Sequence, residues 1–157
     1  MQAEEAPRQL FPEASEITER TIPTTPDLQQ RVRALLSRPP TLWETAYRVF
    51  TAKQGASLVG FVIVVEEIGK HRPITYAIAV KPDGTVQDAA VLAYREAYGG
   101  QVRERRFLRQ YVGKGLGDSL RAYQDIRNIA GATLSVEATG RAMKKAIAVL
   151  KALGDIK

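Results

Sequence analysis

The sequence predicts an α+β domain: a mostly antiparallel sheet with hairpins, packed against N-terminal, middle and C-terminal helices. Three observations predict it. Stretches of β-branched or alternating apolar residues follow one another from 45 to 96. The connections between them are short, which forces antiparallel pairing because a parallel pair needs a long crossover. Helical apolar stripes lie before and after that block.

The elements follow in order. Residues 1–26 hold four of the eight prolines, with many Glu and Thr, and read as an extended or disordered arm. The remainder, 27–157, reads as one domain. "DLQQRVRALLSR", 27–38, places Leu28, Val32, Leu35 and Leu36 on one helical face, with Asp27 as N-cap. "RPP", 38–40, stops this helix. "TAYRVFTAK", 45–53, and "ASLVGFVIVVEEIG", 56–69, predict strands, the second long and buried. "PITYAIAVK", 73–81, alternates Ile74, Tyr76, Ile78 and Val80 on one face. "KPDG", 81–84, is a turn: Pro82 fixes φ and Gly84 permits positive φ. "TVQDAAVLAYRE", 85–96, is the returning strand. After Gly99 and Gly100 the period becomes helical, over 102–112. A glycine-rich link, 113–119, precedes a helix at 136–153, which Gly154 ends.

Composition narrows the chemistry. The chain has 157 residues, enough for one core, and 45% are hydrophobic. A net charge of +6 and a pI near 9.7 favour anionic partners: nucleic acid, phospholipid or a phosphate-bearing ligand. No cysteine is present, which excludes disulfides, thiolate metal sites and iron–sulfur ligation. His71 is the only histidine, so a His-rich metal site is excluded, and no catalytic acid–base constellation stands out. Glu66 and Glu67 would point to opposite faces of a strand. The longest apolar run, "LVGFVIVV", is too short to span a bilayer as a helix. The beginning reads as a mature N-terminus with an added Met, which predicts an export signal removed.

Three short stretches carry candidate chemistry. "NIAGATLS", 128–135, runs into the last helix. Ser135 reads as its N-cap, Gly131 and Ala132 clear space, and Thr133 offers a hydroxyl where a phosphate would meet free N–H groups and the positive end of the helix dipole. By spacing alone, an ordinary loop with a capping serine has the same look. "REAYGG", 95–100, is a glycine turn or a ligand lip with Glu96 pointing inward. "GKGLG", 113–117, lacks P-loop spacing; Lys114 is a solvated charge or a phosphate partner. Arg103, Arg105, Arg106 and Arg109 spread over more than one helical face, unlike a nucleic-acid stripe.

Together, "GKHRPITYAIAVKPDGTV", "REAYGG", "RRFLRQYVGKG" and "AGATLS" resemble the FMN-binding domain family, over about 55–153. That family includes soluble domains of sodium-pumping NADH:quinone reductases, Rnf complexes and regulators of nitrous oxide reduction. The resemblance implies FMN as cofactor, covalent or noncovalent. The family attaches it by a phosphoester to the threonine of a Ser-Gly-Ala-Thr motif, with a flavin transferase that uses FAD; the matching residue is Thr133. It implies cofactor contacts from Gly131, Ala132, Leu134 and Ser135. It implies the same for Glu96, Ala97 and Gly99, which with Tyr98 match a Glu-Thr-Pro-Gly stretch that lies beside the flavin, and for Lys114. This chain has Ala130 where the family usually has Ser, and Arg127 where it usually has Asp. The expected role is an electron-carrier module rather than a complete enzyme. Its partners would be the transferase and a redox protein, membrane-bound or haem-containing, with no nucleic acid, and its location extracytoplasmic. A flavin-free scaffold of the same fold and, less favoured, a basic nucleic-acid-binding domain are the alternatives.

Overall fold

The computed structural model describes residues 1–157. Five strands form one antiparallel sheet in the order β1 to β5: Glu16–Pro23, Ala46–Gln54, Ser57–Ile68, Pro73–Val80 and Val86–Ala93. Each strand pairs with its sequence neighbours, as short connections require. The helices are α1, Ala6–Leu10; α2, Pro26–Ala34; α3, Arg105–Leu108; and α4, Thr133–Ala152. No helix is long and apolar enough to cross a membrane.

The sheet buries both faces. On one, Val49, Phe61, Ile63, Val65, Ile74, Tyr76, Ile78 and Val80 meet Val136, Met143, Ile147 and Leu150 of α4 in the main core. The residues between them, Ala52, Val62, Ala77 and Ala79, form the opposite face. That face is shallow, so α1 sits directly upon it through Ala6, Leu10 and Phe11. The first 26 residues are therefore not a free arm: they supply α1, which covers the second face, and β1, which pairs with β2 from Glu16↔Lys53 to Pro23↔Ala46. The prolines fit this arrangement. Pro7 and Pro26 stand in the first turns of α1 and α2, where a missing N–H costs nothing.

Three further boundaries differ from expectation. Helix α2 is capped by Thr25, whose Oγ1 accepts from Leu28 N at 3.1 Å, and it ends at Ala34. The stretch expected as one helix over 102–112 is α3 flanked by two 3-10 turns, Gly100–Arg103 and Arg109–Tyr111. Val102, Phe107, Leu108 and Tyr111 of this stretch are buried nevertheless, whereas Val112 is exposed. Helix α4 begins at Thr133, three residues before the expected start.

Midway along α4, Gly140 is packed against the backbone carbonyl of Leu120, and a Cβ at this position would overlap that oxygen. Leu120 is itself buried and has a positive φ of 52°. The link from 113 to 132 is thus pressed onto the helix by close backbone approach.

Candidate functional site

The site lies where the head of α4 meets two chain reversals. After β5, Tyr94 to Gly99 turns back on itself. Gly99 has φ 83°, the left-handed region, and its Cβ would stand 2.6 Å from the Tyr94 hydroxyl and 3.1 Å from Ser135 Oγ. Only glycine satisfies both demands. The Tyr94 hydroxyl donates to the carbonyl of Tyr98 and shares a 3.1 Å hydrogen bond with Ser135 Oγ. One tyrosine thereby joins the turn to the helix.

The second reversal joins β3 to β4 at Lys70–Arg72. Glu96 holds it: the backbone N–H groups of His71 and Arg72 donate to its Oε1 at 2.5 and 2.6 Å. These two bonds, with the nearby His71 and Arg72 charges, keep the Glu96 carboxyl below the usual carboxylate range. The sequence suggested Glu96 pointing into a site. It does border the cavity, but its carboxylate oxygen is committed to the neighbouring turn.

Between these reversals and α4 lies a cavity of about 550 Å³, bordered by Lys70, His71, Glu96, Tyr98, Thr133 and Leu134, with Ala97, Gly99, Gly131, Ala132 and Ser135 completing the wall. Eight of the nine residues singled out in the sequence meet here. Tyr98, 85% exposed, and Leu134, 54% exposed, present apolar surface at its mouth. Thr133 is exposed, and its Oγ1 accepts from Asn128 Nδ2 at 2.9 Å.

Two expectations need correction. Ser135 is not the N-cap: it occupies the first turn of α4 with its side chain buried against Tyr94, and Ala132 stands at the cap position with no side-chain cap. The first backbone bond of α4 runs from Val136 N to Ala132 O. The N–H groups of Thr133, Leu134 and Ser135 therefore have no backbone acceptor, as at any uncapped helix start. Lys114 does not border the cavity. It lies 3.9 Å from Asp125, and its backbone joins the link to β5 through Val86. Asp125 accepts from the N–H groups of Leu120 and Arg121 at 2.9 and 3.0 Å, so its carboxylate organises the link.

Sequence reasoning missed Lys70 and Asn128. Tyr98 belongs to the stretch that the resemblance set beside the cofactor, and it does border the cavity. Asn128 carried no signal, because its partner Thr133 is reached only through the folded loop. Also missed was a buried ionic cluster under the opposite half of α4. Lys145 Nζ lies 2.7 Å from Glu67 Oε2 and 3.0 Å from Glu44 Oε1, and Arg141 Nε lies 3.1 Å from Glu67 Oε1. It is apart from the cavity and fastens the segment 41–45 to β3 and α4.

Comparison with known proteins gives this geometry a family. The model of the FMN-binding domain matches residues 69–148, just over half of the chain and all of the cavity's walls. The chain belongs to the FMN-binding domain family. FMN is its cofactor. The crystal structure of Shewanella oneidensis NqrC shares the fold, with a TM-score of 0.61 at 18% identity, over 92% of this chain and 84% of that one. No curated protein matches the sequence.

The residues present suit the group. The cavity has room for a tricyclic ring, its mouth offers Tyr98 and Leu134 as apolar contacts, and a Cβ built on Gly131 would meet no atom within 4 Å. Three unaccepted N–H groups and the exposed Lys70 suit a phosphate.

Proposed function

We propose that this domain is an electron-transfer module that carries FMN through a phosphoester on Thr133. The observation that carries the reading is the placement of Thr133: an exposed residue at the uncapped head of α4, on the wall of the one cavity that also holds Glu96 and Gly99. A phosphate on that oxygen meets the first-turn N–H groups and the positive end of the helix dipole, worth typically about 0.3–1 kcal/mol. Most of the affinity must come from burying the ring against Tyr98 and Leu134.

The flavin, when bound, supplies reversible uptake and release of electrons. The chain does the rest. Glu96 fixes the 70–72 turn, Tyr94 fixes the Gly99 turn to α4, and Gly99, Gly131 and Ala132 keep the space open. We read the module as a carrier rather than a complete enzyme, after the family members it resembles. A flavin transferase using FAD would load it. A redox protein, membrane-bound or haem-containing, would meet the mouth where Tyr98 and Leu134 are exposed. We place the module outside the cytoplasm, after the family members it resembles.

The test is the intact mass of the chain produced together with a flavin transferase. An added FMN that disappears in T133A supports the reading. A bare mass in the wild type refutes attachment. Noncovalent FMN is the second reading, favoured by Arg127 and Ala130, both exposed where the family usually has Asp and Ser. Under it the bare chain still quenches the fluorescence of added FMN.

A further inference from the structure

The head of α4 offers Thr133, but a threonine hydroxyl can rotate among staggered positions, and only some face the cavity. Asn128 removes that freedom. Its Nδ2 donates to Thr133 Oγ1 at 2.9 Å and to the Tyr123 hydroxyl at 2.8 Å. Its Oδ1 is closed off from water and has no partner. Both hydroxyls can donate as well as accept, so turning the amide end for end keeps both bonds and leaves the nitrogen alone instead. In either orientation one buried polar atom of Asn128 goes unsatisfied, a condition folded chains generally avoid. Tyr123, the far anchor, has φ 67°, uncommon for a bulky residue. The loop thus tolerates two local penalties around a side chain whose one reach toward the site is the Thr133 oxygen.

We propose that Asn128 is a positioning residue for FMN attachment, holding the Thr133 hydroxyl in the orientation from which its oxygen reaches phosphorus. The inference rests on the covalent reading above. In the attachment step a bond forms between Thr133 Oγ1 and the FMN-side phosphorus of FAD. The P–O bond to the adenylate breaks, the adenylate leaves with the bonding electron pair, and the hydroxyl proton is released to solvent. No electron is gained or lost. Asn128 Nδ2 occupies one lone pair of Oγ1 and leaves another free for the new bond. Fixing one reacting atom in a near-attack orientation is a modest part of what full orientation contributes to rate.

The experiment follows intact mass against time, with the full chain, a flavin transferase and FAD, at several chain concentrations. N128A should lower the kcat of attachment about tenfold with an unchanged KM for the chain, and Y123F, which frees only the far anchor, about threefold. Free FMN titrated into either variant should bind as it does to the wild type, and the thermal midpoints should match. Equal kcat values for wild type and N128A overturn the inference and leave attachment standing. A slower N128A that also binds FMN more weakly or melts earlier overturns it too, since a residue that merely stabilises the loop behaves that way. A bare mass on the wild-type chain overturns the attachment reading and this inference with it.

Discussion

Lys145 Nζ stands 2.7 Å from Glu67 Oε2, and neither side chain touches solvent. The pair is fully supplied. Lys145 also donates to Glu44 Oε1 at 3.0 Å and to the carbonyls of Leu42 and Glu66 at 3.2 and 2.5 Å. The other Glu67 oxygen accepts from Arg141 Nε and from Thr41 N and Oγ1. Burying charge is costly unless every lone pair and proton finds a partner, and removing one member strands the rest. K145M leaves Glu67 and Glu44 short of their shared cation. Denaturant unfolding should show a loss of about 3–5 kcal/mol. Thr133 lies roughly 18 Å up the same helix at 1.5 Å per residue, so the folded fraction should still bind FMN.

Thr133 contributes an oxygen to the site and little to the fold, because its side chain is exposed. T133V should change unfolding free energy by no more than about 0.5 kcal/mol. Intact mass should show no attached flavin, while fluorescence titration shows free FMN still entering the cavity.

Glu96 makes the site sensitive to acid. Its folded carboxyl titrates below the unfolded value of about 4.3, since two backbone N–H groups favour the charged form. The contribution is fully present above that unfolded value and disappears as pH falls through the folded one. Affinity for free FMN in the wild type should hold from neutrality to about pH 5 and weaken below about pH 4. In E96Q the neutral amide accepts the same bonds more weakly at every pH. Fluorescence titrations across this range should therefore start lower for E96Q and stay flatter.

Gly99 is constrained twice, by its left-handed backbone and by the Tyr94 hydroxyl 2.6 Å from a Cβ. G99A should cost about 1–3 kcal/mol of stability by chemical denaturation and displace Tyr94 from Ser135. Weakened FMN binding should accompany it, because the same turn carries Tyr98.

Lys114 gives the reverse expectation. It faces Asp125 rather than the cavity. K114A should leave FMN affinity unchanged, while the partly exposed pair it breaks lowers stability by at most about 1 kcal/mol.

The sheet was legible because its signals are local. Ile74, Tyr76, Ile78 and Val80 alternate and face one core, and Asp83-Gly84 marks the hairpin; Gly84 N donates to the carbonyl of Lys81 at 2.9 Å. The beginning of the chain was not legible, since nothing in Ala6, Leu10 and Phe11 announces the shallow patch of Ala52, Ala77 and Ala79 that they cover. The site divided in the same way. Glu96, Gly99, Gly131 and Thr133 belong to short motifs and border one cavity. Ser135 looked like a cap because serine usually is one, and Tyr94, distant in sequence, draws it inside instead. The ionic cluster was hidden for a related reason. The buried partner of Lys145 is Glu67, whose neighbour Glu66 stays partly exposed, and strand alternation alone could not say which of the two the helix would claim.

Gly140 carries a lesson for reading relatives of this chain. The Leu120 carbonyl rests on its bare Cα. A methyl group there would push on the tract that bears Asn128, two turns down the helix from the cavity. A descendant with that single exchange would keep every motif letter intact while the backbone behind the motif had shifted, so inspection of the motif alone would miss the change.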